Sequence, residues 1–437
     1  MVSRRLFGTL IGAAFVVAAC TGQSADRSSL TTLAPLATTT SAATTTSTST
    51  TTTTTTTTTT VPLFSATGVV TNAQGAALGG VTIQSGGVQT TSFPDGSFIL
   101  EDAPLGVVVA SRPAWLTAQL VWNGESTLTI VMEPRIVRAI RVSRAVAADP
   151  AAFERILTIA DTTTVNALVF DTKDESGYLL YNSEVAKASE IGSNRDVYDP
   201  AAYIQRAKDH DLYTITRIVT FEDAVWAKGD PSAVGAGSWI NATDESTWEY
   251  PLALAAEACE LGFDEIQFDY VRFPSGRTAT RLRQTMPTTQ DLRVTTIESF
   301  LSQAQTLLHA MGCAISADIF GIVMTSPTDE GIGQRPEELS AVTDALSPML
   351  YPSHFGPGWI GFDDPNDFPG PVVAHSLDLG IPRLTGTAVV RPWLQGFYYN
   401  AAQVRIQIEE AENRGLGWIV WNANGNYDTD WFPTETE

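Results

Sequence analysis

Gly262-Phe-Asp-Glu-Ile-Gln-Phe-Asp-Tyr-Val-Arg-Phe-Pro274 is the stretch from which the rest of the chain can be read. Its core, Glu265-Ile-Gln-Phe-Asp269, reads as a short β-strand closed by a loop. Side chains alternate across a strand, so Gln267 and Asp269 share one face. If that face lines the inside of a closed sheet, the carboxylate of Asp269 points into its mouth.

On both sides of this stretch, β-type runs alternate with segments of helical period, the pattern of a parallel sheet with helical crossovers. Strand one is read at 139–143, with a helix at 151–160. Strand two at 167–171 precedes a helix at 200–209, and strand three at 213–219 precedes one at 250–261. After strand four at 265–269 comes a helix at 289–311, then strand five at 314–318. A short helix at 337–343 leads to strand six at 345–351, a helix at 367–379 to strand seven at 385–391, and a helix at 401–414 to strand eight at 417–421. Eight units in about 300 residues predict one closed (β/α)8 TIM barrel. An open doubly wound sheet would carry a Gly-rich turn after strand one, where Arg144-Ala-Val-Ala stands instead.

Such barrels place their chemistry at the C-terminal ends of the strands. The polar and aromatic residues falling there are Asp171, Lys173 and Asp174, then Arg217, Glu222 and Asp223. Asp269, Tyr270 and Arg272 follow strand four, Asp318 ends strand five, and Tyr351 and His354 follow strand six. Arg391, Trp393 and Gln395 follow strand seven, and Trp421, Asn422 and Asn424 strand eight. Carboxylates supply the acid and the nucleophile or base of sugar chemistry, and aromatic faces stack on sugar rings.

The 262–274 motif closely resembles the core of a bacterial family of glycoside-hydrolase-type domains of unsettled specificity. The likeness runs over about residues 137–432 and includes Phe170-Asp-Thr-Lys-Asp174 and Ala317-Asp318-Ile-Phe-Gly321. The fourth strand is also similar to that of α-amylase-like barrels, where the Asp at the matching point is the nucleophile. The Arg two residues before that Asp is Gln267 here, and the fifth-strand Glu acid of those enzymes has only Asp318 as counterpart.

Neighbouring strands four and five set Asp269 and Asp318 side by side as a nucleophile and general-acid pair. The alternative for Asp318 is a structural ion pair with Arg272 or Arg391. Asp171, Lys173 and Asp174 are expected either to hold substrate hydroxyls, with Asp171 as a second candidate acid, or to form a solvated salt-bridge patch. Glu222 is read as a surface residue, with a reserve acid as the alternative. Arg391, inward on strand seven, is expected to orient Asp269. Tyr270, Arg272, Tyr351 and Asn422 are expected at the substrate, with Trp393 and Trp421 as stacking platforms or rim packing. His354 reads as a hydrogen-bonded loop residue. The four histidines fall in no ligand pattern, so neither a metal nor another cofactor is expected.

Ahead of the barrel, expected from 135 to 437, residues 64–134 carry short strands with Gly turns and no helical period, which predicts a small β-sandwich. Strands are read at 67–71, 80–84 and 126–132, with a hairpin around Asp95-Gly96. Gly68-Val-Val, Gly80-Val-Thr-Ile and Asp95-Gly-Ser-Phe resemble the carboxypeptidase regulatory-like, transthyretin-like domain. Trp115 and Trp122 are either core or a sugar platform. Residues 21–63 are Ser/Thr-rich, with unbroken threonine from Thr50 to Thr60, and read as a disordered spacer. Arg4-Arg5, an apolar run and Val17-Ala-Ala-Cys20 resemble a bacterial lipoprotein signal, with Cys20 as the lipidated residue. The expectation is an exported, lipid-anchored protein. The net charge of −22 argues against nucleic acid and favours a neutral or cationic partner, here an oligo- or polysaccharide. Cys259 and Cys313 are either a disulfide or two buried thiols. The competing function is a carbohydrate-binding envelope protein with a degenerate barrel, and the oligomeric state stays open.

Overall fold

The computed structural model describes residues 61–286 and 288–434. The leader, Cys20 and the threonine spacer lie outside the described residues.

The chain from Val137 onward closes into eight parallel strands. They are Arg138–Val142, Ala167–Lys173, Tyr213–Val219, Glu265–Asp269, Ala314–Phe320, Ala345–Met349, a broken seventh (Val389–Val390 and Trp393–Gln395) and Trp418–Trp421. Each pairs in parallel with the next, and the eighth pairs with the first, so the sheet has no free edge. Helices Pro150–Thr162, Pro200–Asp209, Glu249–Glu260, Gln290–Met311, Pro369–Gly380 and Ala401–Glu412 cover its outside. Their starts are written in the sequence. Asp149 and Asp199 accept N–H bonds at the first turn with proline at the next position, and Asn400 forms a reciprocal capping box with Gln403.

One apolar layer lies between barrel and helices, including Phe170, Ile266, Phe268, Phe300 and Leu346. A second, smaller cluster of Ala139, Ala167, Val169, Ile215 and Ile419 fills the barrel interior. That arrangement is the inward and outward alternation expected of a packed barrel. At the floor, Arg391 pairs with Glu265, which also accepts from Ser316 and, at 3.2 Å, from Tyr213.

Strand seven departs from the expected 385–391. Gly386 is pressed against Ser340, where an added Cβ would stand 2.0 Å from the carbonyl oxygen, so this segment is a turn and the strand begins at Val389. Pro392 has no N–H to give the ladder, and the strand is interrupted there before resuming at Trp393. A helix at Gly276–Thr285, which the sequence did not lead us to expect, follows strand four. Cys259 and Cys313 form a disulfide with Cα atoms 6.1 Å apart.

The small β-domain is a sandwich of two sheets. In one, Leu63–Asn72 lies between Ser97–Pro104, antiparallel, and Thr127–Met132, parallel. The other has the antiparallel order Val88–Thr91, Thr82–Ser85, Gly106–Ser111, Ala118–Trp122. Asp95-Gly96 does not close a hairpin within one sheet. It turns the corner between the two, with Gly96 at φ +77°. Trp115 and Trp122 are core residues here, buried among Val70, Ile83, Phe98 and Ile130.

Candidate active site

At the C-terminal mouth of the barrel lies a cavity of about 1410 Å3. Asp269, Asp318, Arg217, Glu175, Tyr351, Trp393 and Trp421 line its depth, and Tyr270, Arg272, Phe355, Trp359 and Tyr398 its walls. Tyr398 stands 93% exposed at φ +64°.

Strand parity puts Arg141, Asp171, Arg217, Asp269 and Asp318 into the interior, and register makes them neighbours. Arg217 pairs with Asp171 across one strand gap and Val219 with Asp269 across the other. Arg217 is the hub. It donates to Asp269 Oδ2 from Nε at 2.9 Å and Nη2 at 2.5 Å, to Asp171 Oδ1 from Nη1 at 3.1 Å, and to Glu175 Oε1 at 2.7 Å. Its Nε also lies 3.7 Å from Asp318 Oδ2. Arg141 forks onto both oxygens of Asp171. The indole of Trp421 lies beneath both guanidiniums, 3.7 Å from Arg141 and 4.9 Å from Arg217. Charge-assisted forks of this kind fix geometry as well as charge.

The two candidate catalytic carboxyls have different surroundings. Asp269 receives the Arg217 donors on Oδ2 and the Tyr270 N–H on Oδ1 at 2.6 Å, with Tyr270 held at φ +49°. Asp318 is 1% exposed and accepts one neutral donor, Trp393 Nε1, at 2.7 Å. Burial, and next the charge of Asp269, push the Asp318 carboxyl well above the usual carboxylate range. Burial also raises Glu175, but Arg217 and Arg141 outweigh it and hold that carboxyl below its ordinary value. Burial beside Asp318 and Asp269 raises the Tyr351 phenol well above its ordinary value.

The sequence-expected residues therefore divide. Asp269, Asp318, Tyr270, Arg272, Tyr351, Trp393, Trp421 and Asn422 border one cavity. Asp171 does not: it lies beneath as the counter-ion of Arg141 and Arg217. Lys173 is buried against Asp223 at 2.9 Å and donates to the Val219 carbonyl at 2.6 Å. Asp174 accepts from the Ser176 backbone at 3.0 Å and shapes its own turn. Asp171, Lys173 and Asp174 are thus internal fastenings, not residues that reach substrate hydroxyls. Arg391 sits on the floor with Glu265 and cannot orient Asp269, because strand seven starts four residues later than the sequence suggested. Nor does Asp318 pair with Arg272 or Arg391; its neighbours are Trp393 and Arg217. Trp393 presents its N–H edge to Asp318 and is 1% exposed, so it is rim packing with a polar handle. Asn422 donates to the Gly396 carbonyl and receives the Asn424 N–H. Arg141, Glu175 and the central role of Arg217 escaped sequence reading. Inward parity of Arg141 and Arg217 beside Asp171 was the available signal.

Solved structures resemble the chain over different spans. A hypothetical protein from Ruminiclostridium thermocellum is 29% identical over 41% of this chain and 96% of its own, at a TM-score of 0.35. The PgaB glycoside hydrolase domain of Bordetella bronchiseptica is 11% identical over 67% and 95%, at 0.47. A chitinase from Chromobacterium violaceum is 13% identical over 68% and 97%, at 0.42. None of the curated proteins matches the sequence significantly. Residues 139–427, the whole barrel apart from its first and last few residues, match one family model, and the chain belongs to that family, described as "Putative glycosyl hydrolase domain".

Proposed function

We propose that the barrel hydrolyses a glycosidic bond in an oligo- or polysaccharide, with Asp318 as general acid and Asp269 as the partner carboxylate. The observation that carries this reading is the unequal treatment of two acids facing one sugar-sized cavity. Asp269 is charge-paired by Arg217, whereas Asp318 is buried against a neutral indole N–H and favoured in its protonated form. Environments that drive two carboxyls apart assign the acid and its partner.

Both Asp269 Oδ2 and Asp318 Oδ2 lie within ion-pair reach of the same Arg217 Nε, at 2.9 and 3.7 Å. The two oxygens cannot be farther apart than those legs laid end to end. That ceiling admits the separation of about 5–5.5 Å typical of retention and reaches only the lower edge of the 6.5–9.5 Å of inversion. In the retaining sequence Asp318 gives its proton to the glycosidic oxygen as the C–O bond breaks. Asp269 bonds to the anomeric carbon, forming a glycosyl ester. A water then attacks that carbon, losing its proton to Asp318 and freeing Asp269.

One observation favours a second reading, glycan binding without cleavage: Asp269 already spends two acceptor contacts on Arg217. Release of reducing sugar from a polysaccharide panel, including α-glucans, galactosaminoglycans and cell-wall arabinans or galactans, separates the two. The tail-free protein is expected to release product, and its Asp269→Asn form to lose at least about 10²-fold in rate. Equal release by both proteins removes Asp269 from the mechanism, and binding with no release by the unaltered protein establishes the binding reading.

A further inference from the structure

Five arginines are buried among the described residues, and four face a carboxylate: Arg141 meets Asp171, Arg217 meets Asp269, Arg293 meets Asp329 and Arg391 meets Glu265. Arg272 is the exception. It is 7% exposed, lines the cavity, and makes no ion pair with any described acid. Its one hydrogen bond runs from Nη1 to the carbonyl of its neighbour Phe273, at 3.0 Å. The guanidinium is packed by aromatic rings instead, 4.4 Å from Phe320, 4.5 Å from Trp239 and 5.1 Å from Tyr270.

Rings on this scale hold the plane of a guanidinium but leave its N–H groups unsatisfied. None of the Arg272 nitrogens is both sealed from solvent and without a partner, so the remaining N–H groups reach the cavity. Burial is costly for a cation; it outweighs the pull of Asp269, Tyr270 and Glu222 and holds the guanidinium below its ordinary value, and an anion supplied from the cavity offsets the remaining cost. Arg272 lies three residues beyond Asp269 on the same strand end, so the anion would sit on the sugar next to the bond under attack.

We propose that Arg272 is a specificity residue that receives an oxyanion, a sugar carboxylate, on the substrate of the hydrolase reading on which this inference rests. The planar fork matches a carboxylate through two parallel N–H···O bonds. The chain's net charge of −22 would repel a densely charged polymer. The ligand is therefore a glycan with isolated carboxylates, and recognition is local to Arg272.

The probes are glucuronate and galacturonate beside glucose and galactose, with glucose 6-sulfate as a second oxyanion. Binding is measured by ligand-observed NMR on the folded protein and on Arg272→Met and Arg272→Lys, each checked by thermal unfolding. At least one uronate is expected to bind about tenfold more tightly than its neutral counterpart. Arg272→Met should abolish the preference of acid over neutral sugar, and Arg272→Lys should retain part of it. Tighter binding of the sulfate than of either uronate moves the assignment to a sulfated sugar and overturns the carboxylate. Equal binding of acid and neutral sugar, no binding of any probe, or a preference untouched in Arg272→Met overturns the anion site. If only the hydrolase reading fails, polysaccharide release is absent while this preference persists. If only the anion site fails, release persists without the preference.

Discussion

A carboxyl group that is nearly sealed from water, accepts one indole N–H and faces a second acid is more easily kept protonated than ionised. Asp318 is in that position, and burial followed by Asp269 raises it well above its ordinary 3.8. As pH climbs past 3.8, the unfolded chain loses this proton before the native protein does. Native stability from this group therefore declines with rising pH until the folded carboxyl also ionises. Asparagine reproduces the acceptor for Trp393 and removes the titration. The Asp318→Asn protein is expected to melt above the unaltered one at pH 8, with the gap closing near pH 3. Its cleavage rate is expected to fall by about 10²–10⁴-fold, the usual contribution of a general acid. On the proposed hydrolase reading, the rate of the unaltered protein should drop as alkali ionises Asp318. A melting point for Asp318→Asn below the unaltered protein at pH 8 contradicts the neutral acid.

At the scale of elements, register does what no single residue can. Alternation along strand four was legible from Gln267 and Asp269, because the period of two is local to the strand. The start of strand seven was not legible, since Thr385-Gly-Thr-Ala-Val-Val390 has strand-like composition throughout. Only the approach of Gly386 to the Ser340 carbonyl turns its first half into a loop. Pro392, one residue past the expected end of that strand, is an interior break in it. Closure between strands eight and one depends on another glycine. A Cβ on Gly417 would stand 2.0 Å from the Val137 carbonyl oxygen, beside the Trp418 N–H bond to that same oxygen. Gly417→Ala is expected to destabilise the fold by about 1–3 kcal/mol, the range for forced overpacking. Urea unfolding followed by fluorescence reads it, and an unchanged midpoint would show that the seam can yield. The Gly276–Thr285 helix went unread because its only apolar residues are Ala279 and Leu282 among Arg, Thr and Gln, too few to mark its helical period by eye.

For the whole molecule, sandwich and barrel meet through Arg112, which donates to Thr387 at 3.1 Å and lies 3.6 Å from Asp344. We read the leader as a lipoprotein signal, with the β-domain as a spacer like the carboxypeptidase regulatory-like fold. If that is right, Cys20→Ala should move the protein from the membrane to the soluble extracytoplasmic fraction without changing its melting point. Persistence in the membrane fraction contradicts the anchor.

Sequence alone determined that strands and helices alternate eight times, that Asp269 faces inward, and that acids and aromatics gather at one rim. These are consequences of short periods and residue type, which each segment carries by itself. Tertiary structure decided which cation serves which acid. Arg217 lies 46 residues from Asp171 and 52 from Asp269, and Arg391 lies 126 from Glu265. Such pairings follow from where each strand starts and how it aligns with its neighbours. Those alignments are settled by many weak contacts around the closed sheet rather than by the residues that end up paired.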